Sequence, residues 1–180
     1  MLIRRLTPAD AAAFQALRLL GLQESPSAFS SSYEEECGRT LEFVAKRLEH
    51  NVERAVFAAF DVDELVGIIG VGVDGGRKLA HKRVVWGMYV APSHRGRGIA
   101  KRLLHQALQF AAAMPGVRQV NLGVNVTNTA ALRLYESMGF KPFGVERTAL
   151  LIDGEFHDEM LMVCLLDEHV RAGNSSTVGC

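Results

Sequence analysis

Residues 84–100, V-V-W-G-M-Y-V-A-P-S-H-R-G-R-G-I-A, run from an apolar strand pattern through two arginines and two glycines into an apolar helix. No other stretch constrains the fold as much, because a strand that feeds a helix through a glycine-rich loop sets the helix N-terminus at the end of a sheet. Alternation sends Val84, Trp86, Met88 and Val90 to one face of the strand. Ile99, Leu103, Ala107 and Ala111, with Leu104 and Leu108 beside them, form the stripe of the helix. A helix N-terminus presents unpaired backbone N–H groups and partial positive charge, and glycine lets an oxyanion approach the main chain. Arg95 and Arg97 add forked donors. The stretch reads as a seat for phosphate or pyrophosphate, against the plainer reading of a glycine-capped turn with two solvated arginines.

Two nucleotide-binding patterns do not fit. The five glycines between Gly67 and Gly76 are followed by no G-K-[ST], so they read as turn and strand-packing glycines rather than a phosphate loop. A dinucleotide fold would place G-x-G-x-x-G at its first helix with an acid about twenty residues on. Here G-R-G-I-A follows several strands and is followed by Asn121, with no acid in the required place.

The flanking pattern alternates strands and helices. A strand at Ile3–Leu6 precedes a helix that starts around Thr7, Pro8 and Asp10 and breaks at Gly21 and Ser25-Pro26. A helix over Thr40–Leu48 leads to a hairpin of Ala55–Phe60 and Leu65–Val73, and Asp74–Gly76 turns into the next strand. Beyond the glycine–arginine helix, Val120, Leu122, Val124 and Val126 alternate with Asn121, Gly123, Asn125 and Thr127, a strand with one polar face. Asn128 caps a helix through Ser137, ended by Gly139, and strands at Lys141–Leu151 and Glu155–Leu166 are joined at Asp153-Gly154.

Twenty basic side chains balance twenty acidic ones, so no overall field draws in nucleic acid or an anionic membrane. With 180 residues and 48% hydrophobic content, a single domain over 1–170 is expected, with 171–180 as a flexible tail. Cys37, Cys164 and Cys180 show neither zinc spacing nor a disulfide framework, so no metal is expected. The start lacks a signal-peptide h-region and no run is long enough to span a bilayer, which points to a cytoplasmic setting.

A second informative stretch is N-V-T-N-T-A-A-L-R-L-Y-E-S-M-G-F, Asn125 to Phe140. Asn128 and Tyr135 lie seven positions apart, nearly one face of a helix, with Ala131 between them. Each alone reads as structural, Asn128 as a cap and Tyr135 as a packed ring. Together, one strand after a pyrophosphate-like loop, they form a polar rail ending in a phenol.

With R-G-R-G-I-A at Arg95–Ala100 fitting [QR]-x-x-G-x-[GA], and N-T-A-A-L-R-L-Y-E-S-M-G-F at Asn128–Phe140, the sequence resembles the GNAT superfamily of N-acetyltransferases. The resemblance implies an α/β single domain: a mixed, mostly antiparallel twisted sheet of about six or seven strands, flanked by about four helices. Two central strands of that sheet splay apart to form an acetyl-CoA cleft. It implies acetyl-CoA as co-substrate, with pyrophosphate on the amides of Arg95, Gly96, Arg97, Gly98, Ile99 and Ala100. The pantetheine arm would run along Met88, Tyr89 and Val90, with Asn128 and Ala131 as further contacts.

The implied reaction is direct transfer of acetyl to a primary amine, on a small molecule or a protein N-terminus. Tyr135, protonated at neutral pH, fits the acid that protonates the leaving thiolate. The general base stays unassigned among Glu34, Glu35, Glu36, His81, His157, Asp158 and water. Phe29, Tyr33 and Glu34 are the candidate acceptor contacts, although Y-E-E-E also reads as a solvated helix face. The expected partner is an amine-bearing acceptor, without nucleic acid or membrane, and a homodimer is left open. The competing class is a non-catalytic acyl-CoA sensor of the same fold.

Overall fold

The computed structural model describes residues 1–73 and 75–166, so Asp74 of the expected turn and the expected tail at 171–180 lie outside the described residues. Seven strands form one sheet in the order β1-β2-β3-β4-β5-β7-β6. They are β1 (Leu2–Arg5), β2 (Ala55–Asp61), β3 (Glu64–Val73), β4 (Lys82–Val90), β5 (Gln119–Asn125), β6 (Lys141–Ile152) and β7 (Glu155–Leu165). The helices are α1 (Ala11–Glu24), α2 (Tyr33–Cys37), α3 (Leu41–Arg47), α4 (Ile99–Ala112) and α5 (Thr129–Ser137). The expected α/β architecture holds, with α2 added to the four helices legible in the sequence.

All neighbouring strand pairs are antiparallel except β4 and β5. That parallel pair is matched only at Lys82↔Gln119, Arg83↔Val120 and Val84↔Asn121. Past Val84 the two strands part, each held by its outer neighbour: β4 by β3 to Val90, and β5 by β7 to Asn125. The sheet opens as a wedge with its mouth at the C-terminal ends of β4 and β5.

The sheet carries a core on each face. On one side α4 buries Ile99, Leu103, Leu104, Ala107, Leu108 and Ala111 against Val66, Val85, Val90, Val120 and Leu122. On the other, α1 sets Phe14, Leu17 and Leu22 against Val56, Ala58, Ile68 and Tyr89. Strict alternation along β4 fails at Gly87, whose φ of 62° is open to glycine but strained for other residues. The pairing with β3 shifts there, from Gly70↔Trp86 to Ile68↔Tyr89. As a result Trp86 and Tyr89 pack with the α1 core, while Val85, Val90 and Met88 pack with the α4 core. Trp86 therefore does not share the face expected for it with Met88 and Val90. The glycines of β3 are packing residues: the Trp86 indole lies over Gly70, where a β-carbon would clash.

The acidic run before Cys37 is only partly solvated. Glu34 and Glu35 are exposed, but Glu36 is buried and pairs with Arg18 of α1 at 3.4 Å and Arg47 of α3 at 3.0 Å. Its backbone carbonyl also accepts from Gln15 Nε2 at 2.7 Å, so three helices meet on one residue. Burial would raise the Glu36 carboxyl, but the two guanidinium groups outweigh it and hold it below the usual glutamate range.

Replacing Glu36 by alanine leaves the buried Arg18 and the half-buried Arg47 without their carboxylate and should cost about 3 kcal/mol in urea unfolding at neutral pH. Because the folded-state pKa is depressed, this stabilisation is present above the ordinary glutamate pKa and is lost as pH falls below it. The gap between wild type and Glu36→Ala should therefore narrow in acid.

Candidate functional site

Two adjoining hollows occupy the mouth of the wedge. The larger, about 530 Å³, is walled by Met88, Tyr89 and Val90 of β4, by the loop into α4, and by Asn128 at the N-cap of α5 and Ala131 within it. Arg95, Gly96, Gly98, Ile99 and Ala100 line the same groove, so most of the donor-side residues singled out in the sequence come together. Ser25, Ala28, His94, Lys101, Ala130 and Leu134 line it as well and were not anticipated. Arg97 does not line it. The smaller hollow, about 80 Å³, holds Tyr135 between Val85–Met88 and Gly123–Asn125, and shares Ala28, Met88, Asn128 and Ala131 with the larger.

The start of α4 is open toward the groove. Gly96 and Gly98 have φ of 75° and 73°, and Gly98 at the N-cap supplies no side-chain cap. The first helical hydrogen bond runs from Arg102 N–H to Gly98 O at 3.2 Å. The N–H groups of Ile99, Ala100 and Lys101 come before it and have no partner within the helix. This is a ready anion seat made of main chain.

The arginine side chains serve a different purpose from the one expected of them. Arg95 Nε donates to Val90 O at 2.9 Å, and its guanidinium forks onto Glu24 at the end of α1, with Nη1 to Oε1 at 2.9 Å. Tyr89 Oη donates to the same carboxylate at 2.6 Å. Arg97 donates to Ser93 O at 3.1 Å and lies 3.9 Å from Asp61. Both side chains fasten the loop to its surroundings because carboxylate and carbonyl acceptors are closer to hand, which leaves the main-chain amides as the donors open to the groove. Glu24 could not be read as the partner of Arg95, since it lies 71 residues away.

Asn128 is the cap the sequence called for: its Oδ1 accepts from Ala131 N–H at 3.1 Å, leaving its NH₂ for other contacts. Tyr135 is buried, with its ring edge-on to Phe140 at 5.7 Å. Burial pushes its phenol above the ordinary tyrosine range, so it is a neutral proton donor at physiological pH. Asn125 closes the smaller hollow at 2% exposure. Its Oδ1 accepts from Thr127 N–H at 2.9 Å and Thr127 Oγ1–H at 2.7 Å, but its Nδ2 has no partner among the described residues. The polar face of β5 was the signal for it, and only the wedge shows that it points into a cavity.

Phe29, Tyr33 and Glu34 also converge, lining a separate groove of about 580 Å³ opposite Ala149–Asp153 of the β6–β7 hairpin. Phe29 is buried against Gly21 and the Tyr89 ring, so Tyr33 and Glu34 are the more open of the three. His81 sits at the closed end of the wedge beside Lys82, away from both hollows. Asp158 is taken up by Arg147 at 2.6 Å and by Thr148 N–H at 2.9 Å. Among the described residues no group of three His, Cys, Asp or Glu side chains gathers to hold a metal, and no helix is long and apolar enough to cross a membrane.

Comparison with known proteins fits this geometry. Residues 19–140 match the profile of the Acetyltransferase (GNAT) family. The spermidine N(1)-acetyltransferase of Vibrio cholerae is 26% identical over 130 residues, covering 72% of this chain and 73% of that protein. The N-alpha-acetyltransferase RimI of Mycobacterium tuberculosis is 40% identical over 90 residues, covering 50% of this chain and 54% of its own length. The crystal structure of a GNAT-family acetyltransferase from Streptococcus pneumoniae superimposes with a TM-score of 0.79 at 26% identity, over 91% of this chain and 98% of that one.

The buried phenols have a measurable effect in alkali. Burial and the Glu24 carboxylate push the Tyr89 hydroxyl up to about 12, and Tyr135 is raised by burial. The stability gained by keeping them neutral is complete below about pH 10, the free tyrosine value, and is lost as pH rises beyond it. Denaturant unfolding should show wild type weakening between about pH 10 and 12, and Tyr135→Phe weakening less over that interval.

Proposed function

Because the chain belongs to the acetyltransferase (GNAT) family, it is an acetyl-CoA-dependent N-acetyltransferase, and we propose that the two adjoining hollows are its donor site. One observation carries the assignment: open main-chain amides at the start of α4 and a buried, protonated phenol lie on hollows that share four residues. In this reading the amides from Arg95 to Ala100 hold the pyrophosphate, and Met88, Tyr89 and Val90 flank the pantetheine arm opposite Asn128 and Ala131. The thioester is what acetyl-CoA supplies when bound. The chain's own groups then orient it, with main-chain N–H near Met88–Val90 polarising the carbonyl and Tyr135 giving its proton to the departing sulfur.

The acceptor enters from the groove of Phe29, Tyr33 and Glu34, on the same side of the sheet as α1. Glu34 draws in a cationic group there. The relatives are named as a spermidine N(1)-acetyltransferase and an N-alpha-acetyltransferase, which supports a primary amine as the acceptor class. A cytoplasmic location, where acetyl-CoA is at hand, belongs to the same reading. So does a homodimer formed at the free edge strand β6, where Phe143 and Val145 are exposed.

Acetyl-CoA should raise the melting temperature more than NAD or ATP at equal concentration, and Gly98→Asp should abolish the difference. A carboxylate there repels the pyrophosphate and must adopt a φ of 73°, at a folding cost of about 1 kcal/mol. Unchanged acetyl-CoA affinity in a folded Gly98→Asp protein would dismiss the loop as the anion seat.

Tyr135→Phe should keep acetyl-CoA affinity but lower kcat by about 10²-fold or more, measured by thiol release with spermidine and with an alanyl peptide. Wild-type kcat in that variant would leave Tyr135 a packing residue.

A further inference from the structure

The proposed donor site has an acid but no assigned base, and Glu34, Glu35, Glu36, His81, His157 and Asp158 line neither of its hollows. The polar face of β5 points to another. Gly123 and Asn125 both line the small hollow that holds Tyr135. Across the antiparallel ladder Asn125 is paired with Glu159 of β7, so their side chains leave the same face of the sheet. The Glu159 side chain leans along that face onto Gly123, where its Oε2 comes within 2.7 Å of the position a β-carbon would take. Any residue but glycine at 123 would displace the carboxylate.

From this placement we propose that Glu159 is the general base that takes the proton from the acceptor ammonium beside the Tyr135 hollow. The proposal rests on the acetyltransferase reading above and adds to it the residue that prepares the nucleophile.

Three observations support it. The carboxylate is half-buried, and among the described residues it makes no hydrogen bond or ion pair that would hold its lone pairs elsewhere. The neighbouring Asn125 lines that hollow, and its buried Nδ2 has no partner among the described residues, which leaves a donor there for a polar ligand. Burial pushes the Glu159 carboxyl above the usual glutamate range, and the negative Glu146 opposite it on β6 pushes the same way, bringing it nearer to working pH. The groups facing it are Gly123 and Asn125 from β5, Glu146 from β6, and His157 two positions away on its own strand. The nearby Arg147 and Asp158 are spent on each other.

The protons balance. The acceptor R–NH₃⁺ gives one to Glu159, and the nitrogen lone pair forms the N–C bond. The C–S bond then breaks, its electron pair going to sulfur, which takes the Tyr135 proton. The second proton on the new amide nitrogen returns through solvent to the Tyr135 phenolate, and Glu159 releases its proton to water. One proton is liberated per acetyl group moved.

The test is the pH dependence of kcat/KM with spermidine and an alanyl peptide as probe acceptors, beside calorimetry of acetyl-CoA binding. Glu159→Gln should lose about 10²-fold at neutral pH, and the deficit should shrink as pH rises toward the amine's own pKa, where no base is needed. Acetyl-CoA affinity should be unaltered. Glu146→Gln removes the charge that raises Glu159, so its acidic limb should move to lower pH. Gly123→Ala, which pushes the carboxylate aside, should reproduce the Glu159→Gln profile. An independent readout is the ¹³C titration of glutamate carboxyls, in which the resonance lost in Glu159→Gln should titrate above the bulk and fall in Glu146→Gln. If Glu159→Gln keeps the wild-type pH profile, or that resonance titrates with the bulk, the base is not Glu159. A wild-type protein that binds no acetyl-CoA and acetylates no amine would instead overturn the acetyltransferase reading itself.

Discussion

The short parallel pairing between β4 and β5 governs the molecule. Three matched residue pairs hold the strands together at one end, and nothing holds them at the other. A sheet does not usually give up main-chain hydrogen bonds in its centre, because buried N–H and C=O groups without partners are costly. Here each strand keeps a ladder on its outer side, continuous for β5 with β7 and shifted at Gly87 for β4 with β3. The inward-facing backbone of both strands is thereby left available to a ligand. The position of α4, the hollow around Tyr135 and the polar face of β5 all depend on that gap.

Electrostatics in the wedge comes from local arrangement. The chain has no net charge, and the two arginines of the glycine loop are tied to Glu24, Val90 O, Ser93 O and Asp61. Positive potential at the groove therefore comes from amides and the helix start, which cannot swing away as side chains do. On the opposite side of the gap, burial keeps the phenol protonated. The open amides and the neutral phenol are thus produced by backbone geometry and by exclusion of water, respectively.

Much of this was legible in the sequence, for a physical reason. The stripe of α4, the glycine loop, the Asn128 cap and the closing hairpin are set by neighbours within one or two turns, and each formed where the pattern put it. What escaped was set by distant partners. The change of face at Gly87 arises from the pairing of β4 with β3, so alternation alone put Trp86 on the wrong side. Glu36 reads as one more acid in a charged run until α1 and α3 bring Arg18 and Arg47 to it. Glu159 lies in an unremarkable D-E-M-L and acquires its surroundings only from the register of β7 against β5 and β6.

The contact between Arg95 and Glu24 also bears on how the protein breathes. It spans 71 residues and joins the loop before α4 to the last turn of α1, from which the chain runs directly into Ser25–Tyr33. Local opening in proteins proceeds by cooperative units, and a loop fastened this way is not a unit by itself. Whatever quiets the glycine loop also quiets the segment that carries Phe29 and Tyr33, since the two share one anchor. Occupancy of the groove beside the glycine loop is therefore expected to reduce the conformational freedom of that segment as well.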